Sequence, residues 1–200
     1  MELACHRRPQ GPRIGRMDVL TTERLRLVRW REEFRADVAR LTSDPRVYRT
    51  LGLGTRWTPE YVDERHRAYL EHWRSHGFGW RGVLAADGEE FLGIAALNYA
   101  GTRVPGVEGS AFEVGWWLDP RYQGRGIATE AARATRDDAF GRLGAPRLAA
   151  RVRIGNDASA RVATRLGMRL HGEAVAARGE AVKVFTLDRR AWPGPGRATA

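Results

Sequence analysis

Ala111-Phe-Glu-Val-Gly-Trp-Trp-Leu-Asp-Pro120 runs directly into Arg121-Tyr-Gln-Gly-Arg-Gly-Ile-Ala128 and on into Thr129-Glu-Ala-Ala-Arg-Ala-Thr135. The first ten residues are rich in aromatic and β-branched side chains and predict a strand. Pro120 ends it, having no N–H for a ladder. Ile127, Ala128, Ala131, Thr135 and Ala139 recur at helical spacing, so a helix follows. The turn between them holds Gly124 and Gly126. A helix start carries unpaired N–H groups and the positive end of the dipole, which together favour an anion. Without a Cβ, each glycine lets such an anion come close to the main chain. The plainer alternative is a connection whose glycines serve only the turn, and two glycines alone do not exclude it.

The spacing narrows the choice. Gln123, Gly126 and Ala128 fit Gln/Arg-x-x-Gly-x-Gly/Ala, and on these residues the chain resembles the GNAT superfamily of acetyl-CoA-dependent N-acetyltransferases. The flanking Glu113-Val-Gly-Trp-Trp-Leu-Asp-Pro120 and Ala128-Thr-Glu-Ala131 resemble its Rim-type branch, which acetylates the N-termini of ribosomal proteins. The resemblance extends over about residues 21–188.

Outward from this centre, residues 22–30 alternate apolar and charged and predict a strand with Leu25, Leu27 and Arg29 on one face. Residues 32–42 predict a helix with Phe34, Val38 and Leu41 as its stripe, ended by Asp44-Pro45. Residues 49–58 read as a flexible connection. Thr58-Pro59 opens a second helix, with Tyr61, Tyr69, Leu70 and Trp73 as anchors and Gly77 as its stop. Strands over 79–86 and 90–99 flank the hairpin signal Asp87-Gly88. Residues 100–110 form a Gly/Pro-rich loop. Beyond the central helix come a strand over 147–154 and a helix after Asn156 with Ala158, Val162 and Leu166 buried. A closing hairpin is expected around Arg178-Gly179. This order predicts an α+β fold with a mixed, mostly antiparallel sheet. It matches the GNAT fold, which implies that the central strand and the 147–154 strand splay apart to admit acetyl-CoA.

The chain has 200 residues, 34 basic against 24 acidic, for a net charge of +10. Lys183 is the one lysine; the other basic residues are arginine. A positive field attracts polyanions such as CoA, nucleic acid or an acidic protein, although the arginine bias of a GC-rich genome explains the charge equally well. No basic run with interleaved aromatics suggests a nucleic-acid platform. A lone Cys5 excludes an internal disulfide and a cysteine-rich metal site, and suits a reducing, cytoplasmic compartment. No run approaches the ~18 apolar residues of a membrane helix. Arg7-Arg8 is not followed by the apolar region of an export signal. The expected organisation is a disordered extension over 1–16, one domain over 17–190, and a disordered tail over 191–200.

The resemblance implies roles for particular residues. The main-chain N–H groups of Gln123, Gly124, Arg125, Gly126, Ile127 and Ala128 would hold the pyrophosphate. The main chain at Leu118 would run beside the pantetheine arm and offer an N–H to the oxyanion. Arg121, Arg125 and Arg161 would reach for the nucleotide phosphate. An amine of pKa about 8–10 is mostly protonated at neutral pH, and a positioned base is worth about 10²–10⁴-fold. Glu113, ten residues before Gln123, is the candidate base and shares a strand face with Gly115 and Trp117. The competing reading is a glutamate paired with an arginine in the sheet. The tyrosine that many GNAT enzymes carry on the helix after the 147–154 strand would fall at Ala163, so a tyrosine acid is excluded there. Asn156 and Ser159 are expected at the CoA arm, with Ser159 a candidate proton donor; both also suit a helix N-terminus.

His72 and His76 share a helix face without a third ligand nearby, and read as surface histidines. His66 and His171 carry no context. Trp57 stands out because its segment borders the acceptor cleft in this fold. The expected acceptor is an amine, either a protein N-terminus or a small molecule such as a polyamine or aminoglycoside. An acidic or ribosomal partner is compatible with the charge, as is a monomer or a homodimer. The competing class is a non-catalytic acetyl-CoA-binding module.

Overall fold

Alternating and wholly apolar runs give eight strands, β1 (Val19–Thr21), β2 (Leu25–Arg29), β3 (Arg81–Ala85), β4 (Phe91–Tyr99), β5 (Ala111–Leu118), β6 (Arg147–Arg153), β7 (Arg169–Val175) and β8 (Ala181–Asp188). Between them lie α1 (Phe34–Ser43), α2 (Pro45–Tyr48), α3 (Pro59–His76), α4 (Ile127–Gly141) and α5 (Asp157–Arg165). The structure is a computed structural model that describes residues 18–100, 107, 111–176 and 178–196. The expected extension over 1–16 therefore lies outside the described residues, as does most of the loop over 100–110.

The strands form one sheet in the order β1-β2-β3-β4-β5-β6-β8-β7. Every neighbouring pair is antiparallel except β5–β6. β5 pairs with β4 from Phe112↔Tyr99 through to Leu118↔Gly93. It pairs with β6 only at Ala111↔Arg147, Phe112↔Leu148 and Glu113↔Ala149. β6 continues beside β8 as far as Arg153↔Val182, so the two central strands part after Glu113. A gap opens between residues 114–118 and the end of β6, which is the expected splay. Gly93 is required on the other edge of β5: a Cβ there would lie 2.2 Å from the Trp117 carbonyl oxygen.

Helices cover both faces. Val114, Ala132, Phe140, Leu148, Ala163 and Leu166 join α4 and α5 to one side of the sheet. Trp30, Phe34, Val38, Tyr69, Trp73 and Ile94 join α1 and α3 to the other. Burying large aromatic side chains of this kind supplies most of the driving force. Local signals set the helix ends. Thr58 Oγ1 accepts from Tyr61 N–H at 3.3 Å, Pro59 takes the first turn, and Gly77 closes α3 at φ 73°. Asp44 follows α1 and caps α2 by accepting from Arg46 N–H.

Several expectations needed correction. The strand expected over 22–30 is shorter, β2 at Leu25–Arg29: Thr22 N–H donates to the Leu25 carbonyl and turns the chain, and β1 at Val19–Thr21, which the sequence reading did not foresee, precedes that turn. The buried stripe of α3 is Val62, His66, Tyr69 and Trp73, with Tyr61 and Leu70 only half-buried. On α5, Ala158 is exposed, and Ala163 takes its place in the core beside Val162 and Leu166. His66 has a definite role: its Nδ1 accepts from buried Trp30 Nε1 at 3.0 Å and its Nε2 lies 3.0 Å from Glu32. His72 is half-buried, with Nδ1 2.8 Å from the Phe78 carbonyl oxygen. Within the segment expected as a tail, Trp192 packs on Phe140 and donates to Asp137 Oδ1, while residues 197–200 lie outside the described residues.

Candidate active site

The gap between β5 and β6 opens into a cleft of roughly 1000 Å³. Its lining includes Glu113, Leu118, Gln123, Gly124, Gly126, Ile127, Ala128, Asn156, Ser159 and Arg161, so one cavity joins most of the residues singled out from sequence.

One end is the turn before α4. Gly124 and Gly126 take the left-handed conformation at φ 76° and 79°. Gly126 is the N-cap of α4 and supplies no side-chain cap. The first-turn N–H groups of a helix lack intrahelical partners, so this end presents donors and a positive dipole to the cleft. Gln123 Nε2 donates to the Leu118 carbonyl at 3.2 Å, fastening the turn to the end of β5. Glu130 accepts from Thr22 Oγ1 at 2.6 Å and from Arg24 Nε at 2.7 Å, and so ties the first turn of α4 to β1 and β2. Arg24 also donates to the Arg125 carbonyl at 3.0 Å. Arg121 and Arg125 are not among the lining residues: Arg121 pairs with Asp119, and Arg125 lies over the Tyr122 ring. Arg161, exposed on α5, is the one of the three that lines the cleft.

Asp119 locks the strand-to-turn corner. It is 4% exposed, accepts from Arg121 N–H and its guanidinium, and also pairs with Arg40. Burial works against its charge. The hydrogen bonds from Arg121 and Arg40 outweigh burial and hold the carboxyl well below the usual carboxylate range.

Glu113 sits on the last paired rung of β5–β6. Arg151 on β6 reaches it through two nitrogens, Nε to Oε1 at 2.7 Å and Nη2 to Oε2 at 3.2 Å. Asn98 Nδ2 lies 3.4 Å from the same Oε2. The arginine pairing weighed as an alternative is therefore present, in the same cleft as the proposed site. Asn156 Oδ1 accepts from Ser159 N–H at 3.1 Å and caps α5. The Ser159 side chain is half-buried in the cleft lining, while Ala163 is fully buried in the core.

The other end is aromatic and basic. Trp57 packs edge-on against Tyr61 and Trp117, at 4.8 and 5.9 Å between ring centroids, and borders the cleft as expected. Arg153 Nη1 donates to the Gly52 carbonyl at 2.7 Å, and Arg178 Nη1 donates to the Tyr61 hydroxyl at 2.6 Å. Arg153 thus ties β6 to the segment before α3, and Arg178 ties the β7–β8 turn to the first turn of α3. Sequence reasoning missed Arg151, Arg153 and Arg178. The signal for the first two was Arg-x-Arg on one face of an otherwise apolar strand. It also missed Trp116, whose buried Nε1 has no hydrogen-bond partner among the described residues. No helix of the described residues is long and apolar enough to cross a membrane.

The acetyltransferase (GNAT) domain family matches residues 24–169. An uncharacterized N-acetyltransferase, YnaD of Bacillus subtilis (strain 168), is 27% identical over 154 residues, covering 76% of this chain and 84% of that protein. The crystal structure of an acetyltransferase from Agrobacterium tumefaciens str. C58 superposes with a TM-score of 0.72 at 30% identity, covering 84% of this chain and 93% of that one. RimL, a ribosomal L7/L12 alpha-N-protein acetyltransferase solved with coenzyme A, superposes with a TM-score of 0.66 at 20% identity, over 85% of this chain and 97% of that one. At that identity the likeness concerns the fold. A family match over the greater part of the chain, on a sheet that parts between β5 and β6, makes this protein a member of the GNAT family of N-acetyltransferases.

Proposed function

We propose that this chain binds acetyl-CoA in the β5–β6 gap and transfers its acetyl group to a primary amine that enters past Trp57 and Tyr61. The observation that carries the reading is the glycine-capped start of α4 opening on the same cleft as Glu113. The residues suit the co-substrate chemically. A diphosphate matches uncapped N–H donors at a helix tip, and a pantetheine amide matches strand-edge groups that β5 leaves unpaired beyond Glu113.

When bound, acetyl-CoA supplies an activated thioester carbonyl. Gln123, Gly124, Arg125, Gly126, Ile127 and Ala128 contribute main-chain N–H groups to the diphosphate, with Arg161 beyond them at the nucleotide. Leu118 contributes the main-chain N–H that meets the developing oxyanion. Glu113 accepts the amine proton, directly or through water; a carboxylate held by Arg151 and Asn98 keeps lone pairs for a further donor. Asn156 and Ser159 hold the arm near its sulfur; the Ser159 hydroxyl relays a solvent proton to the departing thiolate and regains its own in the same step, while Glu113 gives up the amine proton to solvent.

Likeness to the Rim-type fold supports a protein N-terminus as acceptor. The bonds from Arg153 to Gly52 and from Arg178 to Tyr61 favour a second reading, a small-molecule amine, because they fasten the acceptor end of the cleft. A thiol-release screen with amines and N-terminal peptides, followed by mass spectrometry of the product, tests both. Release accelerated by an amine supports transfer, and indifference to every amine would leave only a binding module.

A further inference from the structure

The charge of the cleft says more about the acceptor than its shape does. Among the described residues its lining holds eight arginines and two glutamates. Both glutamates are engaged: Glu113 by Arg151, and Glu180 by the main-chain N–H of Arg178 at 3.1 Å. Two of the aromatic faces in the lining are also covered by arginines. The Arg178 guanidinium lies 5.0 Å over the Tyr61 ring, and that of Arg65 lies 5.2 Å over Tyr69. A polyamine would find both lining glutamates already engaged and the Tyr61 and Tyr69 faces already covered.

Arg153 and Arg178 differ from the carboxylate-paired arginines of this protein in what they hold. Their recorded hydrogen bonds go to neutral oxygens, the Gly52 carbonyl and the Tyr61 hydroxyl. Among the described residues neither lies within ion-pair distance of a carboxylate. Arg35, Arg46, Arg121, Arg147 and Arg151, by contrast, are each paired with one. A guanidinium bonded to a neutral acceptor gains when a carboxylate replaces it, since charge-assisted bonds are about twice as strong.

We infer that the acceptor is an amine carrying its own carboxylate, which Arg153 and Arg178 receive at the mouth of the cleft while the amine points inward past Trp57. The inference rests on the acetyl-transfer reading and names the substrate class for it. The carboxylate comes from one of two sources: the α-carboxylate of a free amino acid, or an acidic side chain just after a peptide N-terminus.

Matched acceptors at constant ionic strength test this by thiol release. One arm compares glycine with glycinamide, and the other compares a Ser-Asp-Ala-amide peptide with its Ser-Asn-Ala-amide counterpart. Spermidine is the polycation control. The expected result is a kcat/KM about tenfold higher for the acid in at least one arm, the size of one charge-assisted contact. That arm identifies the source. Glycinamide has the more readily deprotonated amine, so a preference for glycine must come from binding. Added salt should shrink the preference. Arg153→Gln and Arg178→Gln, singly and together, should raise KM for the acid toward that of the amide, and Arg178→Lys should restore part of the difference. Calorimetry with acetyl-CoA on the same variants reports that the fold is intact. Equal rates for acids and amides, or a preference for spermidine, would overturn the inference while leaving acetyl transfer in place. If acetyl-CoA binds but no amine of any charge is acetylated, acetyl transfer itself fails and the acceptor class with it.

Discussion

Arg151 grips Glu113 through two nitrogens at 2.7 and 3.2 Å, one rung from the point where β5 and β6 part. The pair bridges the splayed strands and sets a carboxylate at the inner end of the gap. Replacing Glu113 by Gln keeps the shape and removes the charge. If Glu113 takes the amine proton, kcat at neutral pH falls about 10²-fold or more, and the loss narrows as pH rises and the free amine becomes abundant. Acetyl-CoA affinity should stay within a few-fold. Steady-state kinetics from pH 6 to 10 measure this, and unchanged turnover across that range would leave Glu113 a purely structural partner of Arg151.

Asp119 makes acid stability measurable. Its folded carboxyl is depressed by Arg121 and Arg40 despite burial. The stability it contributes is therefore fully present above the unfolded value of about 3.9 and is lost as pH falls below it toward the folded value. Glu130 is shifted in the same direction, burial again opposing and Thr22 and Arg24 prevailing. Asp119→Asn should cost about 1–2 kcal/mol at pH 7, discounted because both arginines are exposed. It should also flatten the loss of stability below pH 4. Denaturant melts at pH 3 to 7 check both effects.

Gly93→Ala tests the close approach of β4 to β5. The added methyl would sit 2.2 Å from the Trp117 carbonyl oxygen and 2.9 Å from the Leu118 Cα, so backbone must move. Overpacking of this kind costs about 1–3 kcal/mol, occasionally more. The displaced residues border the cleft, so acetyl-CoA affinity should fall along with the melting temperature. A variant as stable as the parent would show that the two strands stand further apart.

His66→Leu should destabilise by about 1–3 kcal/mol, because it leaves the buried Trp30 N–H without its acceptor. The effect should appear in chemical denaturation and leave acetyl-CoA binding untouched, as His66 lies on α3 under the core. No loss of stability would mean that water reaches Trp30.

Most of the architecture was legible because it rests on local signals. Thr58-Pro59 and Gly77 fix the two ends of α3, and the period-two pattern and Pro120 fix β5. The glycine turn was legible because only glycine sits easily at the φ of 76° and 79° adopted there. What escaped depends on contacts between distant residues. The pairing of Arg151 with Glu113 spans 38 positions, and that of Arg178 with Tyr61 spans 117. The pairing of Arg121 with buried Asp119 is local but was also not read from the sequence, because nothing local shows that Asp119 is buried. Trp192 looked like part of a loose tail because the Pro-Gly run after it hides an indole that fits between Phe140 and Asp137.

The central claim is that the tip of α4 holds the diphosphate of acetyl-CoA, and titration calorimetry with acetyl-CoA tests it most directly. The parent protein should bind with a one-to-one stoichiometry. Gly126→Glu, which places an acid at that tip, should lose binding by about 100-fold or more, the cost of several charge-assisted bonds. Gly77→Glu is the control: it imposes comparable strain at φ 73° on the far end of α3 and should bind as the parent does. A parent protein with no affinity for acetyl-CoA, or a Gly126→Glu variant that binds as well as the parent, would contradict the account.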